Sequence, residues 1–198
     1  MRRWFQSLLI LSLSVALPVL AAGPSPQQMV KESADELLVV VKSRRAELEA
    51  NPATLHQIVD EVLRPNFDVV YSARLVLGRH WPRSTPEQRQ RFTEALYGAM
   101  VRRYASGLLK YNEDSVLVEP HAGLIRLDEE FVTVNTKVKT AKGVMVPVNY
   151  RTRWTEDGWK VFDVTIEGLS YVSSFRDTIG NDVRRKGLDL VIRDLEGR

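Results

Sequence analysis

Three histidines, one aspartate inside an apolar run and two short basic clusters are the residues of this 198-residue chain whose types could do chemistry. His56 falls on the flank of an expected helix, His80 in a Gly-Arg-His-Trp loop, and His121 beside Pro120 at a strand boundary. No set of metal ligands at short spacing is evident around them, so they read as solvated or hydrogen-bonded residues. Asp163, within Val161-Phe162-Asp163-Val164, is the best catalytic candidate. A carboxylate enclosed between a sheet and helices can act as a general base, as a cup-shaped hydrolase or isomerase would use it. The plainer reading, which we prefer, has Asp163 face outward or pair with an arginine such as Arg151 or Arg153. Arg102-Arg103 and Arg184-Arg185-Lys186 are expected to be solvated helix faces, with docking to an acidic partner or phosphate as the lesser reading. Cysteine is absent, which removes thiol nucleophiles, Cys-ligated zinc and disulfides together. No phosphate-binding glycine loop, dinucleotide fingerprint, nucleophile elbow or His-Glu-x-x-His appears either. No catalytic residue, metal or cofactor is therefore expected.

The elements that would position these residues fall into two halves. From Pro26 to about Tyr111 apolar residues recur at helical spacing. Ser25-Pro26 opens a first helix with Met29, Val30, Leu37, Leu38, Val41 and Leu48 on one face, and Asn51-Pro52 opens a second. Phe67 to Leu77 reads as a third helix stopped by Gly78. Thr85-Pro86-Glu87-Gln88 is a capping box that starts a long fourth helix. From Ser115 to about Gly168 the pattern alternates instead. Short strands are expected at 115–120 and 124–127, longer ones at Phe131–Val138, Val144–Trp154 and Trp159–Ile166, then a helical tail. Turns at Lys142-Gly143 and Glu156-Asp157-Gly158 leave no room for parallel crossovers, so the sheet is an antiparallel meander. The fold class is α+β, a curved antiparallel sheet with helices packed on one side.

At the front, Arg2 and Arg3 precede an apolar stretch and the small residues Ala21-Ala22. Residues 1–22 have the pattern of a cleaved export signal, too short for a comfortable bilayer span. Residues 23–198 form one expected domain. With Arg2 and Arg3 removed, 26 Lys and Arg oppose 25 Asp and Glu. A nucleic-acid protein usually shows a large basic excess on one face, and this balance argues against such a partner. Export without cysteines fits the bacterial periplasm.

Large apolar residues exceed what two simple layers require. The stripe Val144 to Trp154, with Phe162, Val164 and Ile166 beside it, faces helical Trp81, Phe92, Leu96, Tyr97, Met100, Tyr104 and Leu108. By composition alone such a stripe is ordinary core more often than ligand cavity. Val76-Leu77-Gly78-Arg79-His80-Trp81 followed by Ser84 to Phe92 resembles the Leu-Gly-x-x-Trp and Thr-x-x-Gln-x-x-x-Phe segments of the MlaC family. Gly158 to Val172 is similar to that family's Gly-Trp-x-Val-x-Asp-Val-x-Ile-Glu-Gly-x-Ser segment, and Arg176 and Gly187-Leu188-Asp189 extend the likeness. The resemblance implies a monomeric, non-enzymatic periplasmic carrier that holds phospholipid in a cup like that of nuclear transport factor 2. It also implies two partners, an outer-membrane Mla lipoprotein complex and an inner-membrane Mla ABC transporter complex, between which the carrier maintains outer-membrane lipid asymmetry. With acyl chains between sheet and helices, facing direction read from periodicity names the lining. The sheet would give Val134, Val146, Val148, Tyr150, Phe162, Val164 and Ile166. The helices would give Leu77, Trp81, Phe92, Leu96, Met100 and Tyr104.

Overall fold

A computed structural model describes residues 24–109, 111–118, 130–140 and 143–197. The expected leader and the expected strand at 124–127 lie outside the described residues. Helix α1 (Pro26–Ser43) starts at Ser25, whose hydroxyl accepts from the Gln28 N–H at 3.2 Å. The helix expected to run on through Leu48 breaks at Arg44, where φ is −120° and ψ is 19°, and α2 (Arg45–Ala50) follows. Helix α3 (Pro52–Leu63) is capped by the Asn51 side chain. In both α1 and α3 a proline fills the first turn, where its missing N–H leaves no bond unmade.

Past Pro65 the chain behaves differently from the expected helix. Phe67 forms a parallel bridge with Val161, and α4 (Val69–Leu77) begins only after Asp68, whose carboxylate accepts from the Tyr71 N–H at 2.9 Å. A 3₁₀ turn (Gly78–Arg83) leads to α5 (Pro86–Leu108), started by the reciprocal bonds of Thr85 and Gln88. Gly78 sits at φ +50°, a conformation that costs any residue with a Cβ.

The second half is an antiparallel meander in the order β1-β2-β3-β4-β5. Its strands are β1 (Tyr111–Val118), β2 (Phe131–Thr140), β3 (Met145–Thr155), β4 (Gly158–Ile166) and β5 (Leu169–Ser170). Helices α6 (Tyr171–Lys186) and α7 (Leu188–Glu196) complete the chain. The architecture is thus α+β, with an open antiparallel sheet and a helical layer.

A bulge interrupts β4. Arg151 lies opposite Asp163 while Thr152 lies opposite Val161, which leaves Phe162 as the extra residue. One inserted residue inverts the side on which its neighbours project. Val161 therefore joins Val134 of β2 against Met29 and Val30 of α1. Phe162 turns the other way, with its ring 5.9 Å from Phe131 and 5.1 Å from Tyr71 of α4, under the Arg151 guanidinium. The face that alternation assigns jointly to Phe162, Val164 and Ile166 does not extend to Phe162.

Asp163 is wholly buried. Its carboxylate accepts from the Ser170 hydroxyl at 2.7 Å and the Val172 N–H at 3.0 Å, and pairs with Arg151 at 3.6 Å. It thereby fixes the first turn of α6 to β4, where helix N–H groups lack partners of their own and favour a negative charge.

The helices close a second core away from the sheet. Ala73, Val76 and Leu77 of α4 pack with Phe92, Ala95 and Leu96 of α5, Val172 and Ile179 of α6, and Val191, Ile192 and Leu195 of α7. A third cluster joins α1, α2 and α3 to Ala105 of α5. Helix α5 buries residues in both helical clusters, so no single stripe describes it. Two outcomes follow. Asp163→Asn removes the charge that two donors and Arg151 share and lowers unfolding free energy by about 1–3 kcal/mol in urea titrations. Phe92→Ala, at a site with no exposed surface, lowers it by about 3–5 kcal/mol.

Candidate functional site

The face of the sheet toward α1 is apolar across β2, β3 and β4. Strand β2 contributes Val132, Val134 and Thr136 to it, and the register places Thr152, Tyr150 and Val148 of β3 directly opposite. Val164 and Ile166 of β4 continue the row across Tyr150 and Val148. The two threonines do not make this face polar. Thr136 donates its hydroxyl to the Val148 carbonyl at 2.8 Å, and Thr152 donates to the Val132 carbonyl at 2.9 Å. A hydroxyl satisfied within its own sheet leaves the methyl group as the surface it presents.

Coverage of this face is uneven. Val132, Val134, Thr136, Val148 and Thr152 are buried, with Met29 and Val30 of α1 packed against Val134 and Val161. Val146, Tyr150, Val164 and Ile166, toward the end of β4 that leads into β5, are only half-buried. They form an apolar strip that the protein's own side chains cover in part. Near the same end, Tyr104 of α5 stacks on Tyr171, the first residue of α6, with ring centroids 4.1 Å apart and planes 10° from parallel. Phe67 links the other end of β4 to α5 through Tyr97, 5.9 Å away. Burial, reinforced by the Asp60 carboxylate, pushes the Tyr97 phenol above its ordinary range, so it stays neutral at all physiological pH.

The thirteen residues named from periodicity therefore sit in three places. Val134, Val146, Val148, Tyr150, Val164 and Ile166 share the α1-facing side of the sheet, whereas Tyr104 belongs with the helical residues, stacked on Tyr171 of α6. Phe162 lies on the opposite side with Phe131 and Tyr71. Leu77, Phe92 and Leu96 lie inside the helical cluster of α4 to α7, and Trp81 and Met100 pack against it. Trp81 is further held by Arg89, which donates to its carbonyl at 3.0 Å and stands 5.5 Å from its ring. Sequence reasoning did not select Val132, Thr136, Met29 and Val30 for the site. Alternation through Val132-Thr133-Val134-Asn135-Thr136 carried the signal for the first two, once the threonine methyl is counted as apolar.

Among the described residues no three His, Asp or Glu side chains converge as metal ligands, and no helix is long and apolar enough to cross a membrane. Two depressions open on the helical layer. One of about 120 Å³ between α5, α6 and α7 has an apolar floor that includes Phe175, Ile179 and Val191. The other, of about 390 Å³, lies between the 3₁₀ turn after α4 and the middle of α6. Neither is lined by a strand residue.

Comparison with known proteins places this arrangement. The family model described as MlaC protein matches residues 31–197. The toluene tolerance protein ttg2D of Pseudomonas putida is 29% identical over 183 residues, which cover 91% of this chain and 84% of the relative. The intermembrane phospholipid transport system binding protein MlaC of Haemophilus influenzae is 26% identical over 204 residues, covering 99% of this chain and 92% of the relative. Among solved structures, the phospholipid-binding protein from Ralstonia solanacearum, in complex with a phospholipid, superposes with a TM-score of 0.80 at 26% identity. That match covers 88% of this chain and 96% of the other. Matched from α1 to the last turn of α7, this chain belongs to the MlaC family.

Proposed function

We propose that the chain is a periplasmic phospholipid carrier without enzymatic activity, and that the half-buried strip of Val146, Tyr150, Val164 and Ile166 takes up acyl chains. The observation that carries this reading is the phospholipid held by a structure of the same fold over nearly its whole length. The satisfied threonines and the uneven cover of the α1-facing side support it. An acyl chain would extend the row along Val134 and Val148, with Tyr104 and Tyr171 near its end. The five helical residues Leu77, Trp81, Phe92, Leu96 and Met100 would act from behind, by setting where α5 stands relative to the sheet.

The energetics need no polar key. Burying about thirty methylenes is worth roughly 24 kcal/mol against water at about 0.8 kcal/mol each. Binding free energies do not exceed about 18–21 kcal/mol. A carrier, however, exchanges its cargo with a membrane, where the tails are already in an apolar medium, and the net difference between the two ends can be small. What the carrier must supply is a water-free surface that can open. The exchange would run between the outer-membrane Mla lipoprotein complex and the inner-membrane Mla ABC transporter complex, with the chain acting as a monomer and maintaining outer-membrane lipid asymmetry. The competing hydrolase or isomerase reading requires a free Asp163 carboxylate. Both of its oxygens are occupied by Ser170, Val172 and Arg151, away from the apolar strip, which counts against it.

Protein purified without detergent and extracted into organic solvent should yield phospholipid in near-stoichiometric amount by mass spectrometry; an extract free of lipid overturns the carrier reading. In Ile166→Asp, an ionised carboxylate on the strip should lower the bound lipid more than about tenfold, since an unpaired buried charge costs several kcal/mol. Val70→Asp, at an exposed position of α4, should leave the lipid content unchanged. Full lipid content in a folded Ile166→Asp variant would remove this strip from the site.

A further inference from the structure

The cleft of about 390 Å³ beside α4 has a different character from the apolar strip. Val76 and Leu77 form part of its floor, while Arg79 and His80 of the 3₁₀ turn and Arg176 and Arg184 of α6 surround it. One acidic side chain, Asp177, lines it as well. The Arg176 guanidinium lies against the backbone of Gly78, so close that a Cβ there would come within 3.3 Å of its nitrogens. That position, at the carbonyl end of α4, accounts for one cation through the helix dipole. It does not account for the others. Arg184 donates to the neutral Asn181, and no carboxylate partner of Arg79 or Arg176 occurs among the described residues. The His80 Nε2 atom is buried with no hydrogen-bond partner.

Among the described residues, one buried imidazole nitrogen here lacks a hydrogen-bond partner, and the three guanidinium groups around the opening lack a carboxylate bonded to them. We propose that this cleft is a binding site for a phosphate-class oxyanion, gripped by Arg79, Arg176 and Arg184, with the His80 imidazole against its inner side. Guanidinium groups offer paired N–H donors that match two oxygens of such an anion, and they do so as fixed charges at every relevant pH. The same chemistry belongs to free phosphate and to a phospholipid headgroup. The cleft shares no lining residue with the sheet, so the site stands or falls independently of the acyl-chain strip.

Burial and the cations Arg79, Arg83 and Arg184 hold the His80 imidazole below the ordinary histidine range. Among the described residues that line the cleft with it, Asp177 of α6 is the one acidic side chain, against Arg79 on the turn and Arg176 and Arg184 on the helix, and Arg83 of the turn adds a further cation. A bound dianion offsets those cations and raises the imidazole's proton affinity. Binding therefore takes up a proton, and affinity for an anion of constant charge rises as pH falls toward 6.

The test is an NMR titration of the His80 imidazole in lipid-stripped, full-length mature protein, with inorganic phosphate and with sulfate as probes. Sulfate keeps its charge across the range, so its pH dependence belongs to the protein. We expect saturable shifts of the His80 resonances, an upward shift of its titration midpoint with sulfate, and weakening by added salt. Arg184→Gln, at an exposed position, should weaken binding of both probes about three- to tenfold. Repeating the titration on lipid-loaded protein identifies the source: a blocked site means that a headgroup phosphate occupies it, and an open one means that free phosphate is the ligand. No saturable shift with either probe overturns the proposal, as does binding that Arg184→Gln leaves unaltered. A response to an acidic peptide but not to phosphate would overturn it in favour of a protein partner.

Discussion

The junction at the β4 bulge is where the two halves of this protein depend on each other. Over three consecutive residues β4 accepts four hydrogen bonds from the helical layer. The Asp68 N–H donates to the Val161 carbonyl at 2.7 Å, and the Ser72 hydroxyl donates to the Phe162 carbonyl at 2.6 Å. The Asp163 carboxylate then takes the Ser170 hydroxyl and the Val172 N–H. Beyond Val164 the outer edge of β4 is paired by the two-residue β5, and before it the segment around Phe67 covers that edge. An edge strand left open would present unpaired backbone groups to other chains. Here the bulge and the edge are closed by one device, and it also sets where α4 and α6 begin.

Dividing the buried residues into separate clusters has a mechanical consequence. The cluster of α4 to α7 is anchored to β4 through Ser72 and Asp163, whereas α1 reaches the sheet through Met29 and Val30 and reaches the other helices through Leu37 and Val41. The half-buried strip toward β5 belongs to neither contact wholly. If acyl chains enter there, α1 and the C-terminal part of α5 can adjust without breaking the bonds at the bulge, because those bonds hold α4 and α6. Interiors resist change where packing is complete, so an opening is least costly where it is not.

Much of this was legible in the residues. Ser25, Asn51 and Thr85 cap helices where their types and spacing say they should, and the turn at Gly158 joins the strands that alternation delimits. The failures have specific causes. Nothing in Ser43-Arg44-Arg45 marks a stop, since arginine is a good helix former and neither glycine nor proline is present, so the break at Arg44 is imposed by packing. Phe67 has the apolar character of a helix start but was taken by the edge of β4. A bulge has no composition of its own in Trp159 to Ile166, yet it changes the parity of every position before it, so plain alternation puts Phe162 on the inner face in place of Val161. Periodicity treats α5 as one-sided and so points Phe92 and Leu96 toward the sheet, while α3 and α7 give it two buried sides.

On the reading proposed here, the apolar strip and the basic cleft would divide the physical work of a carrier. Apolar contact is non-directional, so a surface of valine, isoleucine and tyrosine can hold many acyl chains and distinguish few of them. Discrimination between ligands requires groups whose desolvation is costly unless the right partner arrives. On the sheet such groups have been silenced, as with Thr136 and Thr152. On the helical side, Arg79, Arg176 and Arg184 lack carboxylate partners among the described residues and surround an imidazole nitrogen with no hydrogen-bond partner there. Placing capacity on one face and charge recognition on another would let either change without cost to the other. A carrier that released its cargo into a second membrane would gain from keeping its charged contacts off the surface that the cargo slides along.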